Sequence, residues 1–118
     1  MKFLWTTFMI NDLDGTLAFF KDVAGIEPVR RFQAGPEKGI AFLCEGETKI
    51  ELVADKGIPS HVYKGVSVGL AVDDLDQKKK ELEDKGYETS PVISPNPATR
   101  FFFVADPNGI GLQFVEEK

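Results

Sequence analysis

Hydrophobic and polar positions alternate in two stretches that open two similar halves of the chain. In the later one, Val66, Val68, Leu70 and Val72 share one face of a strand, and Ser67, Gly69 and Ala71 share the other. In the earlier one, over residues 2–10, Leu4, Phe8 and Ile10 lie opposite Phe3, Trp5, Thr7 and Met9. The period then lengthens. Leu13, Leu17 and Phe20 fall on one face of a helix over residues 13–24, and Leu75 and Leu82 do the same over 74–85. Lys79 stands where the first helix has Leu17, so the second apolar stripe is thin and is widened by the lysine stem. Asp12 and Asp74 are the expected N-caps, because a carboxylate there accepts the free amide protons of the first turn. Gly25 and Gly86 are the expected stops.

Three more strands follow each helix: near 27–33, 39–45 and 47–54, and near 87–93, 99–105 and 109–116. Turn-forming segments separate them, namely Gly35-Pro36-Glu37-Lys38-Gly39, the tight hairpin Glu45-Gly46-Glu47, Pro95-Asn96-Pro97 and Asp106-Pro107-Asn108-Gly109.

The two halves are copies of one another. Ile10-Asn11-Asp12-Leu13-Asp14 reads like Val72-Asp73-Asp74-Leu75-Asp76, and Lys49-Ile50-Glu51-Leu52-Val53 reads like Gly111-Leu112-Gln113-Phe114-Val115, each pair 62 positions apart. One spacing at both ends of each half indicates a duplicated supersecondary unit, and two units are too few for a solenoid. The sequence therefore predicts an α+β fold of two tandem βαβββ modules, about 1–54 and 65–118, with residues 55–64 as the linker, all within one domain. The expected architecture is a curved mixed sheet with helices on one face and an open cleft on the other.

Composition narrows the function. The chain has 118 residues, 42% hydrophobic and 28% charged, which suits a globular domain. Nineteen acidic against 14 basic residues give a net charge of −5, and the one basic run, Lys78-Lys79-Lys80, is surrounded by acids. Nucleic acid is not an expected partner. A single cysteine, Cys44, excludes an intramolecular disulfide and a cysteine-built metal site, and suits a reducing compartment. No stretch approaches the roughly 18 apolar residues of a membrane helix. The opening apolar run is broken by Thr6-Thr7 and reads as a strand rather than a secretion signal. A cytoplasmic protein that does not engage membranes is expected.

The strand faces pointing away from the helices carry the candidate chemistry. Trp5, Thr7 and Glu51 lie there in the first half, Ser67 and Gln113 in the second, and a sheet face left open in this way suits a small molecule. Glu51 reads either as a general base or ligand anchor, or as a carboxylate satisfied by Gln113 or by the Trp5 N–H. Trp5 either stacks on a flat ligand or fills volume. Phe101-Phe102-Phe103 sends aromatics to both faces of its strand, and Phe19 and Phe20 are expected in the core. Arg30, Arg31 and Arg100 read as exposed strand positions rather than anion binders, and His61 and Tyr63 as exposed linker residues.

The paired helix starts, Asp12, Val23 and Gly25 around the first helix, Arg100-Phe101-Phe102-Phe103 and Asp106-Pro107-Asn108-Gly109 resemble the glyoxalase/bleomycin-resistance/extradiol-dioxygenase group, the vicinal oxygen chelate superfamily. The resemblance covers nearly the whole chain and implies the paired βαβββ fold. It also implies that metal-using members place four ligands at the positions held here by Trp5, Glu51, Ser67 and Gln113, where His or Gln, Glu or His, His, and Glu are usual. Only Glu51 matches clearly, and Gln113 offers an amide oxygen. Indole has no available lone pair, and a serine hydroxyl is a poor substitute for imidazole. No cofactor is expected; a divalent metal, if present, would use Glu51 and Gln113. A homodimer is implied by the resemblance.

Three functions remain open on the sequence. The first is a metal-independent protein of the bleomycin-resistance type that sequesters a small aromatic or cationic molecule. The second is a lactoylglutathione-lyase-like (glyoxalase I type) enzyme in which Glu51 is the catalytic residue, moving a proton next to a carbonyl with a metal as Lewis acid. The third is a metal-free enzyme using Glu51 alone.

Overall fold

The computed structural model describes every residue except Glu45, Glu47 and residues 58–61. His61 and part of the predicted Glu45-Gly46-Glu47 hairpin therefore lie outside the described residues. The chain divides into two compact units, Met1–Val62 and Tyr63–Lys118.

The first unit runs β1 (Trp5–Ile10), α1 (Leu13–Ala24), β2 (Pro28–Gln33), β3 (Lys38–Leu43) and β4 (Lys49–Asp55). Its sheet has the order β1-β4-β3-β2, with β1 parallel to β4 and the other pairs antiparallel. The second unit repeats this as β5 (Ser67–Ala71), α2 (Leu75–Asp84), β6 (Ile93–Asn96), β7 (Thr99–Ala105) and β8 (Gly111–Glu117), in the order β5-β8-β7-β6. The predicted βαβββ pair is thus present as two four-stranded mixed sheets, one per unit. None of the described helices is long and apolar enough to cross a membrane.

Local chemistry sets the helix ends. Asp12 accepts from the Gly15 N–H and Asp74 from the Gln77 N–H, both at 3.0 Å. Gly25 adopts the left-handed conformation (φ 66°) that closes α1. At the end of α2 the Gly86 N–H donates to the Glu83 carbonyl and the Tyr87 N–H to the Leu82 carbonyl, a Schellman closure.

The two helices bury unequal faces. Helix α1 buries Leu13, Thr16, Leu17, Phe20 and Val23 against Phe8, Ile10, Ala41, Leu43, Ile50 and Leu52 of its sheet. Helix α2 buries only Leu75 and Leu82. Lysines supply the rest. The ammonium groups of Lys78 and Lys79 sit 5.5 and 5.6 Å from the ring centres of Phe114 and Phe102. Lys79 also donates to the Thr89 hydroxyl at 2.5 Å and the Ser90 carbonyl at 2.9 Å. A lysine at the position of Leu17 therefore packs with its stem and satisfies its head locally.

Three expectations change. The first strand begins at Trp5, not residue 2, and Leu4 is 53% exposed rather than under the helix. Phe19 is half-buried while Phe20 is fully buried, so only the latter is core. The strand expected over 87–93 is displaced to Ile93–Asn96. The Tyr87 N–H is used by the α2 closure, the Ser90 N–H reaches the Phe103 carbonyl, and the Ser90 hydroxyl accepts from the Phe103 N–H. Pro91 then has no N–H with which to extend a ladder.

Candidate functional site

In the first unit the pleat sends Trp5, Thr7, Glu51 and Phe42 to the sheet face away from α1. Thr7 and Glu51 are register partners in the parallel β1–β4 pair, and Phe42 is the partner of Glu51 on β3. The Thr7 hydroxyl donates to Glu51 Oε1 at 2.5 Å. Within the first unit, among the described residues, the carboxylate's partner is Thr7 rather than the Trp5 N–H. Trp5 instead meets Phe42 edge to face, with ring centres 5.1 Å apart and planes at 73°. The indole is still 43% exposed, so it covers Phe42 without being consumed by the core.

Strand β2 extends this face. Arg30 is the register partner of Phe42, and Arg31 points to the other side, where it pairs with Asp14 of α1 at 2.6 Å. The Arg30 guanidinium lies over the Phe32 ring, 4.9 Å from its centre. Among the described residues, Trp5, Val29, Arg30, Phe42 and Lys49 line a hollow of about 400 Å³. A larger hollow, about 600 Å³, lies at the start of α1. There Asp12 caps the helix and Arg31 is paired with Asp14, so its polar groups already serve the fold.

The second unit carries a plainer version. Gln113 has Gly69 as register partner on β5 and Phe103 on β7, and Gly111 faces Ser67. A side chain at Gly69 would come within ordinary contact of Gln113 Oε1, so the carboxamide leans over that glycine. Phe101 and Phe103 meet edge to face at 5.6 Å on this open face, while Phe102 is buried against Phe114. Of the expected aromatic triplet, two rings reach the open face and one the core. Ser67 is exposed and Gln113 half-buried.

The metal donor set can be judged residue by residue. Indole nitrogen has no lone pair to give, the serine hydroxyl is neutral, and the carboxamide is a weak oxygen donor. That leaves one carboxylate, and one of its oxygens already accepts from Thr7. Among the described residues no group of three or more His, Cys, Asp or Glu side chains is placed to hold an ion. The four positions do not fit a divalent metal. Cys44 is no substitute: it is half-buried on a left-handed backbone (φ 72°), and burial pushes its thiol up from the usual range.

Sequence reasoning named Trp5, Thr7, Glu51, Ser67 and Gln113. The structure adds Phe42 beside Glu51 and Lys49 beside Trp5; it also puts Phe103, from the triplet expected on both faces, beside Gln113, and brings Arg30, expected as an exposed strand position, to the hollow at Trp5. The strand alternation of β3 contained the first of these, but a run of apolar residues on both faces hid it.

Comparison with known proteins gives a consistent picture. A family model described as Glyoxalase/Bleomycin resistance protein/Dioxygenase superfamily matches residues 2–114. A lactoylglutathione lyase of Haemophilus influenzae is 28% identical, with 100% of this chain and 94% of that protein covered. Among solved structures, a trypanothione-dependent glyoxalase I of Leishmania major superposes with a TM-score of 0.77 at 20% identity, covering 99% of this chain and 87% of that one. An antibiotic-binding protein from a Streptomyces species superposes equally well, with a TM-score of 0.77 at 16% identity and coverage of 100% and 97%. At such identities the two structural likenesses are likenesses of fold.

Proposed function

The chain belongs to the Glyoxalase/Bleomycin resistance protein/Dioxygenase superfamily, and from that premise we propose that it is a metal-independent binding protein for a small organic molecule. The ligand rests on an open sheet face, with Trp5, Thr7 and Glu51 as its contacts in the first unit; Ser67 and Gln113 are the corresponding candidate contacts on the open face of the second. Glu51 anchors a hydrogen-bonding group of the ligand, Trp5 offers an aromatic surface, and no bond is made or broken. The observation that carries the reading is the donor set: Trp5 and Ser67 stand where the resemblance puts imidazoles. Exposed aromatic and polar groups mixed on one face also suit recognition of a small molecule. A second copy of the chain is an expected partner, as the family resemblance implies.

The similarity to lactoylglutathione lyases favours one other reading, an enzyme in which Glu51 takes a proton next to a carbonyl. Its weakness is chemical. Without an ion, stabilising the enediolate that proton removal creates would fall to Lys49 and Arg30, and the described residues show no convergent donor pair aimed at one oxygen beside Glu51.

Metal analysis of purified protein, joined to an assay with a methylglyoxal–thiol adduct, separates the two. The binding reading expects substoichiometric nickel, zinc, cobalt and iron and no turnover. Stoichiometric metal whose removal abolishes turnover overturns it. Turnover without metal that is lost in Glu51→Gln overturns it in favour of a metal-free enzyme.

A further inference from the structure

We propose that the hollow around Trp5 takes an aromatic ring bearing an anionic group, such as an aryl carboxylate. The ring lies against Trp5 and Phe42, and the anion is held by Arg30 and Lys49. This rests on the ligand-binding reading above and adds the class and charge of the ligand.

Within the described helices and strands most cations are committed to carboxylates. Arg31 is paired with Asp14, Arg100 with Asp76 and Glu116, Lys21 with Glu27 and Lys38 with Asp55. The helical lysines 78, 79 and 80 face Glu81, Glu83 and Asp84. Arg30 and Lys49 make no ion pair with any described carboxylate, yet both line the same hollow. Lys2, Lys56, Lys64 and Lys118, outside the helices and strands, likewise make no ion pair with a described carboxylate, but within those elements Arg30 and Lys49 are the two without one, and both border one apolar surface. Left alone they repel one another, and an anion between them removes that cost.

The placement is favourable. Lys49 is the register partner of Trp5 on β4, the strand between those of Trp5 and Phe42, and Arg30 is the partner of Phe42 on β2, so the two cations flank the Phe42 strand. Their backbones lie two strand spacings apart across the sheet, roughly 10 Å, and two residues, roughly 7 Å, apart along it, a span of about 12 Å that two long side chains can close onto one carboxylate. The guanidinium lies over the Phe32 ring, 4.9 Å from its centre, and its five N–H donors have no described carboxylate partner. Such a planar fork matches a carboxylate in a two-point contact. Glu51, two residues from Lys49 on the same face of β4, accepts from the Thr7 hydroxyl through one oxygen. About 400 Å³ falls within the size range of small-molecule sites. A cationic ligand, which the acidic composition alone would favour, meets two like charges here.

Isothermal titration calorimetry with naphthoate, naphthylmethanol and naphthylmethylammonium tests the inference, because the three probes share a ring system and differ in charge. Wild-type protein is expected to bind naphthoate at least about tenfold more tightly than the alcohol, with the ammonium weakest. That preference should shrink in about 0.5 M salt, where exposed charges are screened. Arg30→Gln and Lys49→Gln are each expected to pull naphthoate toward the affinity of the alcohol, and Trp5→Ala to weaken all three. Because Arg30 is exposed and Lys49 half-buried, unchanged thermal transitions serve as the folding control. Alcohol or ammonium binding as tightly as naphthoate overturns the anion assignment and leaves the binding reading standing. A naphthoate preference that survives the double variant Arg30→Gln/Lys49→Gln also overturns it. If none of the three probes binds, both the assignment and the ligand role of this face are overturned.

Discussion

The Thr7 hydroxyl donates to Glu51 Oε1 from the directly opposite position of a parallel strand pair. The bond is exposed, so it orients the carboxylate more than it supports the fold. Thr7→Val keeps the β-branched shape and removes the donor. Its expected cost in urea unfolding is under about 1 kcal/mol. A loss of about 2 kcal/mol or more would mean that the pair is structural and that Glu51 is not held for a ligand.

Asp106 presents the opposite case. Its buried carboxylate accepts from the Asn108 N–H and the Ile110 N–H at 2.8 Å and from Asn108 Nδ2 at 2.9 Å, and so shapes the turn before β8. Asp106→Ala leaves buried donors unmet and is expected to destabilise by about 2–4 kcal/mol. Asp106→Asn keeps one oxygen acceptor and is expected to lose less. Denaturant midpoints of the two variants measure the difference.

Acid sensitivity is expected at Glu116. The Leu75 N–H donates to it at 2.9 Å and the Arg100 guanidinium at 3.0 Å, and these two hold its carboxyl below the usual range, the backbone donor foremost. A carboxyl depressed in the folded state contributes stability above its unfolded value, near 4.3, and that stability is lost as the pH falls through the lower folded value. Glu116→Gln is therefore expected to be less stable than wild type at neutral pH and to flatten the fall in stability below about pH 4.3. Equal slopes in the two proteins would remove Glu116 as a cause.

Two glycines should respond differently to alanine. Both have positive φ, 66° at Gly25 and 89° at Gly109. A Cβ on Gly25 meets nothing, so Gly25→Ala should cost about 1 kcal/mol from the left-handed backbone alone. A Cβ on Gly109 would collide with the Tyr63 backbone, whose N–H donates to the Asn108 carbonyl. Gly109→Ala should cost clearly more, because neither backbone can yield without breaking that bond. Equal losses in urea unfolding would show that the turn at Gly109 can move.

Much of the fold was legible because its signals are local and redundant. The Asp12 and Asp74 caps, the glycine stops and the strand alternation each point to the same βαβββ unit, and the 62-residue spacing repeats all of them. The failures have a common cause. Residues 87–92 read as a strand between a helix stop and a turn, yet the Tyr87 N–H bonds to α2 and the Ser90 hydroxyl takes the Phe103 N–H, and a hydrophobicity pattern does not record hydrogen-bond partners. The same limit applies to the open face. The side on which Trp5, Thr7 and Glu51 lie follows from period-two counting, but that Thr7 is the carboxylate's partner depends on register. That Arg31 and Arg100 are committed, while Arg30 has no partner among the described carboxylates, depends on which carboxylates other elements bring within reach.

The pleat that separates helix-facing from outward side chains gives each unit two independent ledgers of residues. Leu52 and Ile50 keep the molecule folded while Glu51 between them touches none of that packing. A lineage can therefore exchange imidazole for indole or a carboxylate for a carboxamide at the outward positions, and the scaffold beneath does not register the change. Chemistry on such a surface is erased or rewritten one side chain at a time, and two barely related proteins can keep one shape while one transforms its small molecule and the other merely carries it.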